Sequence, residues 1–204
     1  MIKAVLFDFA GTLFGRPTHP WLSARHLQVL RAPAPFVARM NAAERAVWDA
    51  RDLTALANRS AYWNLFRLAG LTMTDDIFQR LHNPAFWLPY ADTKAALDVA
   101  RPLKVGVLSN VSWNIRTLFR REQLDVDAFL LSYEIGVSKP SARAFEAACV
   151  RFDVSPEECL FVGDDPVSDG AATKAGLNFA QITTAPVGRR EPVLLEALAK
   201  HGIN

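Results

Sequence analysis

Carboxylate, hydroxyl and ammonium side chains occur at four places in this sequence of 204 residues where an apolar run stops or a loop follows it. In chain order these side chains are Asp8 with Thr12, Ser109 with Asn110, Lys139, and the group of Asp164, Asp165 and Asp169. Carboxylates together with substrate phosphate oxygens are the usual ligands of Mg²⁺ in proteins. A lysine and a hydroxyl group can stabilise a phosphoryl group, and a further carboxylate can attack phosphorus as a nucleophile. The set therefore indicates metal-assisted phosphoryl transfer.

Each of these residues also has a purely structural interpretation. A strand-end aspartate such as Asp8 can cap the turn that follows it, Ser109 can be a helix N-cap, and an Asp-Asp pair can form a turn. Lys139 can be an ordinary solvated loop lysine. The catalytic interpretation is favoured because all four groups stand at the end of a predicted strand or in the loop that adjoins it.

Short buried strands are the elements that must position these residues. Residues 4–7 are apolar, end on Asp8 and are followed by Gly11, which is typical of a buried parallel strand that leads into a loop. Similar runs at 104–108, 128–131, 159–162 and 178–183 alternate with helical patterns at 92–101, 113–122, 141–152, 167–175 and 192–200. Asp92 is the predicted N-cap of the first of these helices. The alternation predicts an α/β fold with a doubly wound parallel sheet, in which ligands bind at the carboxyl ends of the strands.

Residues 15–90 have a different character and predict a small α-helical domain inserted into a core of residues 1–14 and 91–204. One predicted helical face is formed by Phe36, Met40, Ala43 and Val47. Thr74 precedes two acidic residues, as a helix N-cap would. Residues 14–90 contain nine arginines, five acidic residues and no lysine, whereas the rest of the chain has a net charge of −2. A basic insertion over an acidic site suits a small anionic substrate.

The overall composition argues against several classes of protein. A formal net charge of +2 disfavours binding to nucleic acid, and no apolar run approaches the roughly 20 residues of a membrane span. Cys149 and Cys159 lack the spacing of a metal site and suit a reducing compartment. The amino-terminal apolar run is interrupted by Asp8 and lacks a cleavage-like site, which disfavours a signal peptide. We therefore expect a cytoplasmic protein that binds neither nucleic acid nor membranes, and its oligomeric state stays open.

Four sequence motifs resemble those of the haloacid dehalogenase (HAD) superfamily of hydrolases, and the resemblance covers nearly the whole chain. The motifs are FDFAGTLF, LSN, SYEIGVSKP and VGDDPVSDGAATKAG, in the order that the superfamily has. The resemblance implies a Rossmann-like core and a helical cap of the first type, which is inserted between the first and second motifs.

The resemblance also implies roles for the motif residues. In the catalytic group, Asp8 would be the nucleophile, Thr12 would lie in the same loop, Ser109 and Asn110 would hold the transferred group, and Lys139 would stabilise charge. Mg²⁺ would be bound by Asp8, the backbone carbonyl of Ala10 and Asp164, with support from Asp165 and Asp169. The implied activity is Mg²⁺-dependent hydrolysis of a small phosphorylated metabolite through an aspartyl-phosphate.

Ala10 is the position at which the sequence departs from the phosphatases of the superfamily, which carry a second aspartate there. That aspartate protonates the leaving oxygen and later activates water, and such acid–base help contributes about 10²–10⁴-fold to a rate. Its loss matters most for a poor alkoxide leaving group and little for an acyl phosphate. His19 or His26, near the entrance to the insertion, is a candidate to replace it, because imidazole titrates near neutral pH. His19 is also a candidate substrate-binding residue.

Two other branches of the superfamily lack that second aspartate. The 2-haloacid dehalogenases displace halide from carbon without a metal and bind the substrate carboxylate with a cap arginine, for which Arg39 is the candidate here. They carry a serine at the position of Asp164, so the carboxylate cluster favours metal and phosphate instead. Phosphonoacetaldehyde hydrolases need a cap lysine, which this insertion lacks. An alternative of another class is a binding or regulatory module with little catalysis, which Ala10 alone supports.

Overall fold

The computed structural model describes residues 1–16 and 22–204 of the chain. Its strands are β1 (Ala4–Phe7), β2 (Phe14–Gly15), β3 (Leu88–Pro89), β4 (Lys104–Ser109), β5 (Ala128–Leu131), β6 (Cys159–Gly163) and β7 (Asn178–Gln181). Five of these strands form a parallel sheet in the order β5-β4-β1-β6-β7, and β2 pairs with β3 in antiparallel orientation. The predicted α/β fold with a parallel sheet is therefore confirmed.

Helices surround this sheet and fill the segment between β2 and β3. They are α1 (Ala24–Arg31), α2 (Ala34–Val37), α3 (Ala42–Asp49), α4 (Ala55–Leu68), α5 (Asp75–His82), α6 (Thr93–Ala100), α7 (Arg116–Arg121), α8 (Ser132–Ile135), α9 (Ala142–Phe152) and α10 (Leu194–Ala199). Short 3₁₀ helices cover Pro84–Phe86, Pro156–Glu158 and Gly170–Ala175. None of the helices in the described part of the chain has the length and apolar character needed to cross a membrane.

The central sheet is buried on both faces, which explains why its strands are apolar runs instead of alternating patterns. Phe7 packs with α6, α7 and α10 on one face, whereas Leu6 packs with α9 on the other. β1 lies between β4 and β6, with Phe7 paired to Val107 and Val162. Asp8, the residue that follows β1, is therefore held in the middle of the carboxyl edge of the sheet.

Helices α1–α5 contain a hydrophobic cluster of their own. Its buried residues are Leu22, Val29, Val37, Leu65, Phe66, Ala69, Met73 and Leu81. α5 begins where the sequence predicts, since the Thr74 hydroxyl accepts a hydrogen bond from the Ile77 amide at 3.2 Å. This helical segment also contacts the core, because the Ser132 hydroxyl at the end of β5 donates to the carbonyl of Asp52 at 2.6 Å.

Two predicted helices differ from the structure. The face from Phe36 to Val47 is divided between α2 and α3, because the Asn41 side chain accepts the Glu44 amide and starts a new helix at Ala42. The helix predicted at 167–175 is a 3₁₀ helix that begins at Gly170.

A third difference concerns Asp92, which occupies the predicted N-cap position of α6 but whose side chain makes no capping hydrogen bond there. Its Oδ2 instead accepts the amides of Val193 and Leu194, at 2.7 and 2.8 Å, at the start of α10. The Asp92 side chain therefore binds the start of α10, which is close in space, instead of the start of α6, which is close in sequence. It can do so because α6 and α10 pack side by side.

Candidate active site

Asp8 lies at the centre of a buried polar cluster at the carboxyl edge of the sheet. Only 6% of its surface is exposed. Its Oδ1 accepts hydrogen bonds from Ser109 Oγ, at the end of β4, at 3.2 Å and from Lys139 Nζ at 2.7 Å. Three separate chain segments thus meet at one carboxylate oxygen.

Lys139 joins Asp8 to the loop that follows β6. Its Nζ contacts Asp169 Oδ1 at 2.6 Å, and the other oxygen of Asp169 accepts the amides of Asp164 and Asp165 at 3.0 Å each. The backbone of Lys139 is held by Asn110, whose side chain bonds both its amide and its carbonyl at 2.8 Å. In this structure Asn110 therefore positions Lys139.

Asp8, Asp164 and Asp169 each place one carboxylate oxygen within 4.8 Å of the others. Burial raises the pKa of Asp8 to about 6, although Lys139 counteracts it. Burial, strengthened by the charges of Asp8 and Asp169, raises the pKa of Asp164 to about 7. Burial disfavours the charge of Lys139, but the two carboxylates beside it raise its pKa. Three clustered carboxylates with one ammonium group have an excess of negative charge, so this donor set fits a divalent cation with oxygen ligands.

Glycines allow the loops to approach this closely. Gly11 has a φ of +95°, and a Cβ there would lie 2.6 Å from Asp164 Oδ2. A Cβ on Gly163 would lie 2.4 Å from Asp169 Oδ2. Thr12 is fully buried, and its hydroxyl donates to Oδ1 of Asp164, one of the three clustered carboxylates, at 3.3 Å.

Asp165 does not join the three clustered carboxylates. It is exposed, and its Oδ1 accepts the amides of Val167 and Ser168 at 2.8 and 2.7 Å. Such bonds from an aspartate to the amides that follow it stabilise a turn and compete with helix formation, which is why the following helix begins late. In the structure the Asp165 side chain therefore stabilises the loop, and its support of a metal stays a prediction.

A cavity of about 460 Å³ opens onto the cluster. Its walls combine Asp8, Ser109, Lys139 and Asp164 from the core with Arg51, Asp52 and Tyr62 from the helical insertion. Ala10 also lies at this wall, with its side chain exposed. The insertion thus contributes one arginine to the site, but not the one that the sequence indicated.

Arg39, the predicted substrate-binding arginine, lies elsewhere. It is exposed, and its Nη1 donates to the carbonyl of Leu68 at 2.9 Å. The prediction used the sequence distance between Arg39 and Asp8. Arg39 instead lies at the end of α4, because the chain breaks between α2 and α3. Arg51 lines the cavity instead, held by a bond from its Nη1 to the carbonyl of Trp48 at 2.8 Å.

The histidines also differ from expectation. His19 lies outside the described residues. His26 contacts Ser23 Oγ at 2.5 Å and packs against Phe66, within the insertion. His82, which the sequence did not single out, lines a smaller cavity together with Ala10. Its Nδ1 lies 2.8 Å from the Phe78 carbonyl, and a hydrogen bond to that oxygen requires the proton on Nδ1. In the neutral ring Nε2 is then an acceptor.

Arg190 is a further residue that sequence reasoning missed. Its side chain is buried and donates to the carbonyls of Gly11 and Thr12, at 3.1 and 2.7 Å, and to Asp92 Oδ1 at 2.6 Å. Its guanidinium lies 3.5 Å from the centre of the Tyr90 ring. Arg190 therefore fixes the loop that follows Asp8 to the amino-terminal end of α10.

Comparison with known proteins gives matches to both phosphatases and dehalogenases. A phosphatase of Mycobacterium tuberculosis is 41% identical over 95 residues, which are 44% of each chain. The L-2-haloacid dehalogenase of Xanthobacter autotrophicus has the same fold, with a TM-score of 0.68 and 23% identity over 100% of this chain and 83% of that one. A HAD family enzyme of Bacteroides thetaiotaomicron, in complex with magnesium and inorganic phosphate, has a TM-score of 0.58 and 16% identity over 93% and 98% of the chains.

The curated relatives are matched over half of their length or less. The model of the family described as "haloacid dehalogenase-like hydrolase" matches residues 2–176 of the sequence, a range that includes the whole polar cluster. This chain belongs to the family of haloacid dehalogenase-like hydrolases.

Proposed function

We propose that this hydrolase is a Mg²⁺-dependent phosphohydrolase that acts on a small phosphorylated metabolite through an aspartyl-phosphate at Asp8. The observation that carries the proposal is the cluster of Asp8, Asp164 and Asp169 around Lys139. Displacement of halide from carbon needs no metal, so a cluster with excess negative charge beside the nucleophile would only repel an anionic haloacid.

The residues divide the reaction between them. Ser109 and Lys139 both bond Oδ1 of Asp8, which leaves Oδ2 to attack phosphorus while the bond to the leaving oxygen breaks. The ammonium of Lys139 and the hydroxyl of Ser109 stabilise the charge that develops on the phosphoryl oxygens. Water then attacks the phosphorus of the aspartyl-phosphate, the bond from phosphorus to Oδ2 of Asp8 breaks, and inorganic phosphate leaves as the carboxylate of Asp8 is regenerated. Asp8, Asp164 and the Ala10 carbonyl, with Asp169 beside them, would hold Mg²⁺, which would further neutralise the phosphoryl charge.

Ala10 sets the substrate range in this proposal. A methyl side chain cannot protonate the leaving oxygen, so substrates with a good leaving group, such as acyl phosphates, react faster than alkyl phosphates. Residues 15–90 act as a cap that covers the leaving group, supported by the bond from Ser132 to Asp52 and by the cavity wall of Arg51 and Tyr62.

The test is the Asp8→Asn variant, assayed for acetyl phosphate hydrolysis with Mg²⁺ and with EDTA. We expect loss of turnover and of beryllofluoride binding in Asp8→Asn, and loss of turnover in EDTA for the native protein. The matched control is Asp98→Asn, because Asp98 is exposed and, among the residues that the structure describes, forms an ion pair only with Lys94 on the surface of α6. Native-like turnover in Asp8→Asn would exclude the covalent mechanism.

Dehalogenation is the second candidate, because Ala10 is compatible with it and the fold of a dehalogenase is similar. The position of Arg39, bonded to Leu68, weakens this candidate. Halide release from 2-chloropropionate that persists in EDTA would favour it over phosphate hydrolysis. A module without catalysis is excluded if the native protein hydrolyses acyl phosphates.

A further inference from the structure

We infer that the small cavity beside Ala10 binds a carboxylate group of the substrate together with a hydroxyl or ammonium group on the same leaving group. This inference rests on the proposed phosphohydrolase function and names its substrate class, a small phosphate ester whose leaving group carries an anion. The argument comes from three side chains that the catalytic cluster does not use: Arg16, Asn58 and Trp87.

The cavity has a volume of about 150 Å³ and lies between the helical insertion and the core. It shares Ala10, Asp52, Tyr62 and Asn110 with the cavity over the catalytic cluster, so the two spaces adjoin. A cavity of this volume holds a molecule of roughly benzene's size, or about six non-hydrogen atoms. A group attached to a phosphoryl at Asp8 can therefore enter it if the group has three or four carbons or fewer.

Arg16 brings a positive charge to this cavity without a matching carboxylate. Among the described residues no acidic side chain forms an ion pair with it, and its Nη1 donates to the carbonyl of Leu81 at 3.1 Å. Burial lowers the pKa of Arg16, which means that the surroundings disfavour its charge. Asp52 lies at the same cavity but is 3.5 Å from Arg51, which offsets its charge. An anion on the substrate would provide the missing counter-charge.

Two residues that line the cavity each carry a buried polar atom without a hydrogen-bond partner within the described part of the chain. The two atoms are Asn58 Oδ1 and Trp87 Nε1, on residues that are 4% and 8% exposed. Leaving such atoms unpaired is unfavourable, so each one calls for a partner that the protein does not provide. Asn58 Oδ1 accepts, so its partner is a donor such as a hydroxyl or an ammonium group.

Trp87 Nε1 donates, and Arg16 lies beside the same ring. The guanidinium carbon of Arg16 is 4.6 Å from the centre of the Trp87 ring, so the guanidinium lies over the ring that carries Nε1. A carboxylate has two oxygens and can accept from both at once. The arrangement therefore selects an anion at Arg16 and Trp87 and a donor at Asn58.

The first test compares matched pairs of substrates that differ in the carboxylate. These are 3-phosphoglycerate against glycerol 3-phosphate, and O-phosphoserine against O-phosphoethanolamine. We expect kcat/KM to be at least about tenfold higher for the carboxylate member of at least one pair, since hydrogen bonds to charged groups are worth roughly that much or more. The pair with the larger ratio tells whether the donor is a hydroxyl or an ammonium group.

Arg16→Met should abolish that preference, whereas Arg16→Lys should keep part of it. The control is Arg45→Met, because Arg45 is an exposed arginine of the insertion that pairs only with Asp49 in the structure as described. An unchanged ratio in Arg16→Met would overturn the inference.

The second test uses binding and stability, so it does not depend on turnover. Asn58→Leu removes the unpaired acceptor, so its melting temperature should rise while calorimetry shows glycerate or serine bound about 10- to 100-fold more weakly. Native affinity in Asn58→Leu would contradict the inference. If the native protein hydrolyses acetyl phosphate but binds neither ligand, only the inference fails. If it binds one of them but shows no beryllofluoride binding, the proposed function fails instead.

Discussion

Replacement of Arg190 by methionine is expected to destabilise the protein strongly and to loosen the catalytic loop. The side chain joins Asp92 to the carbonyls of Gly11 and Thr12, and the ion pair is almost completely buried, with 2% and 3% of the two side chains exposed. In Arg190→Met the carboxylate of Asp92 would keep only the amides at the start of α10. An uncompensated charge would then remain inside the protein.

The size of the effect can be worked out from this environment. Removal of one partner of a buried ion pair costs about 3–5 kcal/mol. In a domain of roughly 150–250 residues each kcal/mol lowers the melting temperature by about 2–4 °C, so Arg190→Met should lose about 6–20 °C. Thr12 bonds Asp164, so a looser loop should also weaken Mg²⁺ binding.

Calorimetric unfolding and Mg²⁺ titration of the variant would measure both effects. The matched control is Arg189→Met, the exposed neighbour in the same segment, which should change the melting temperature by little. The double variant Arg190→Met with Asp92→Asn should recover part of the loss, because it no longer buries an unpaired charge. A decrease below about 3 °C in Arg190→Met, or strictly additive effects in the double variant, would refute this role of the pair.

Three further predictions concern the site itself. Ala10→Asp should raise hydrolysis of alkyl phosphates by about 10²–10⁴-fold and change acetyl phosphate hydrolysis little, and equal effects on both substrates would contradict the assigned loss of an acid. His82→Gln should lower alkyl phosphate hydrolysis by about tenfold or more, with acetyl phosphate as the internal control, because Nε2 of the neutral ring is an acceptor at the cavity beside Ala10 and can take part in proton transfer; an unchanged rate would contradict this role. In EDTA the protein should melt at a higher temperature near pH 5.5 than near pH 8, because folding raises the pKa of Asp8 to about 6 and of Asp164 to about 7. Their stabilising contribution is present when they are protonated and is lost as the pH rises through these values, so Mg²⁺ should stabilise most at pH 8; the opposite order in calorimetry would refute the charge excess.

The sequence was sufficient to predict the fold class and the residues that meet at the carboxyl edge. Short apolar runs, their alternation with helices and the residue at the end of each run are properties of local segments. Parallel strands must align their carboxyl ends, so Asp8, Ser109, Lys139, Asp164 and Asp169 were predictable as one group, and the structure brings them into contact.

The insertion was predictable only as helical and basic. The structure decides which of its side chains approach the site, because that depends on where one helix stops and how the next one packs. The cap formed at Asn41 separates α2 from α3, so Arg39 bonds the end of α4 while Arg51 lines the cavity.

Contacts between residues far apart in the chain could likewise not be predicted from the sequence. Asp92 is a residue type that commonly caps a helix, but the packing of α10 against α6 brings Arg190 and the amides of Val193 and Leu194 to its side chain. The sequence by itself determined which chemistry can occur at Asp8, since that needs only the residues at the strand ends. Tertiary structure alone decided what surrounds Ala10, because Arg16, Asn58, His82 and Trp87 become neighbours only after the helices and the sheet have packed.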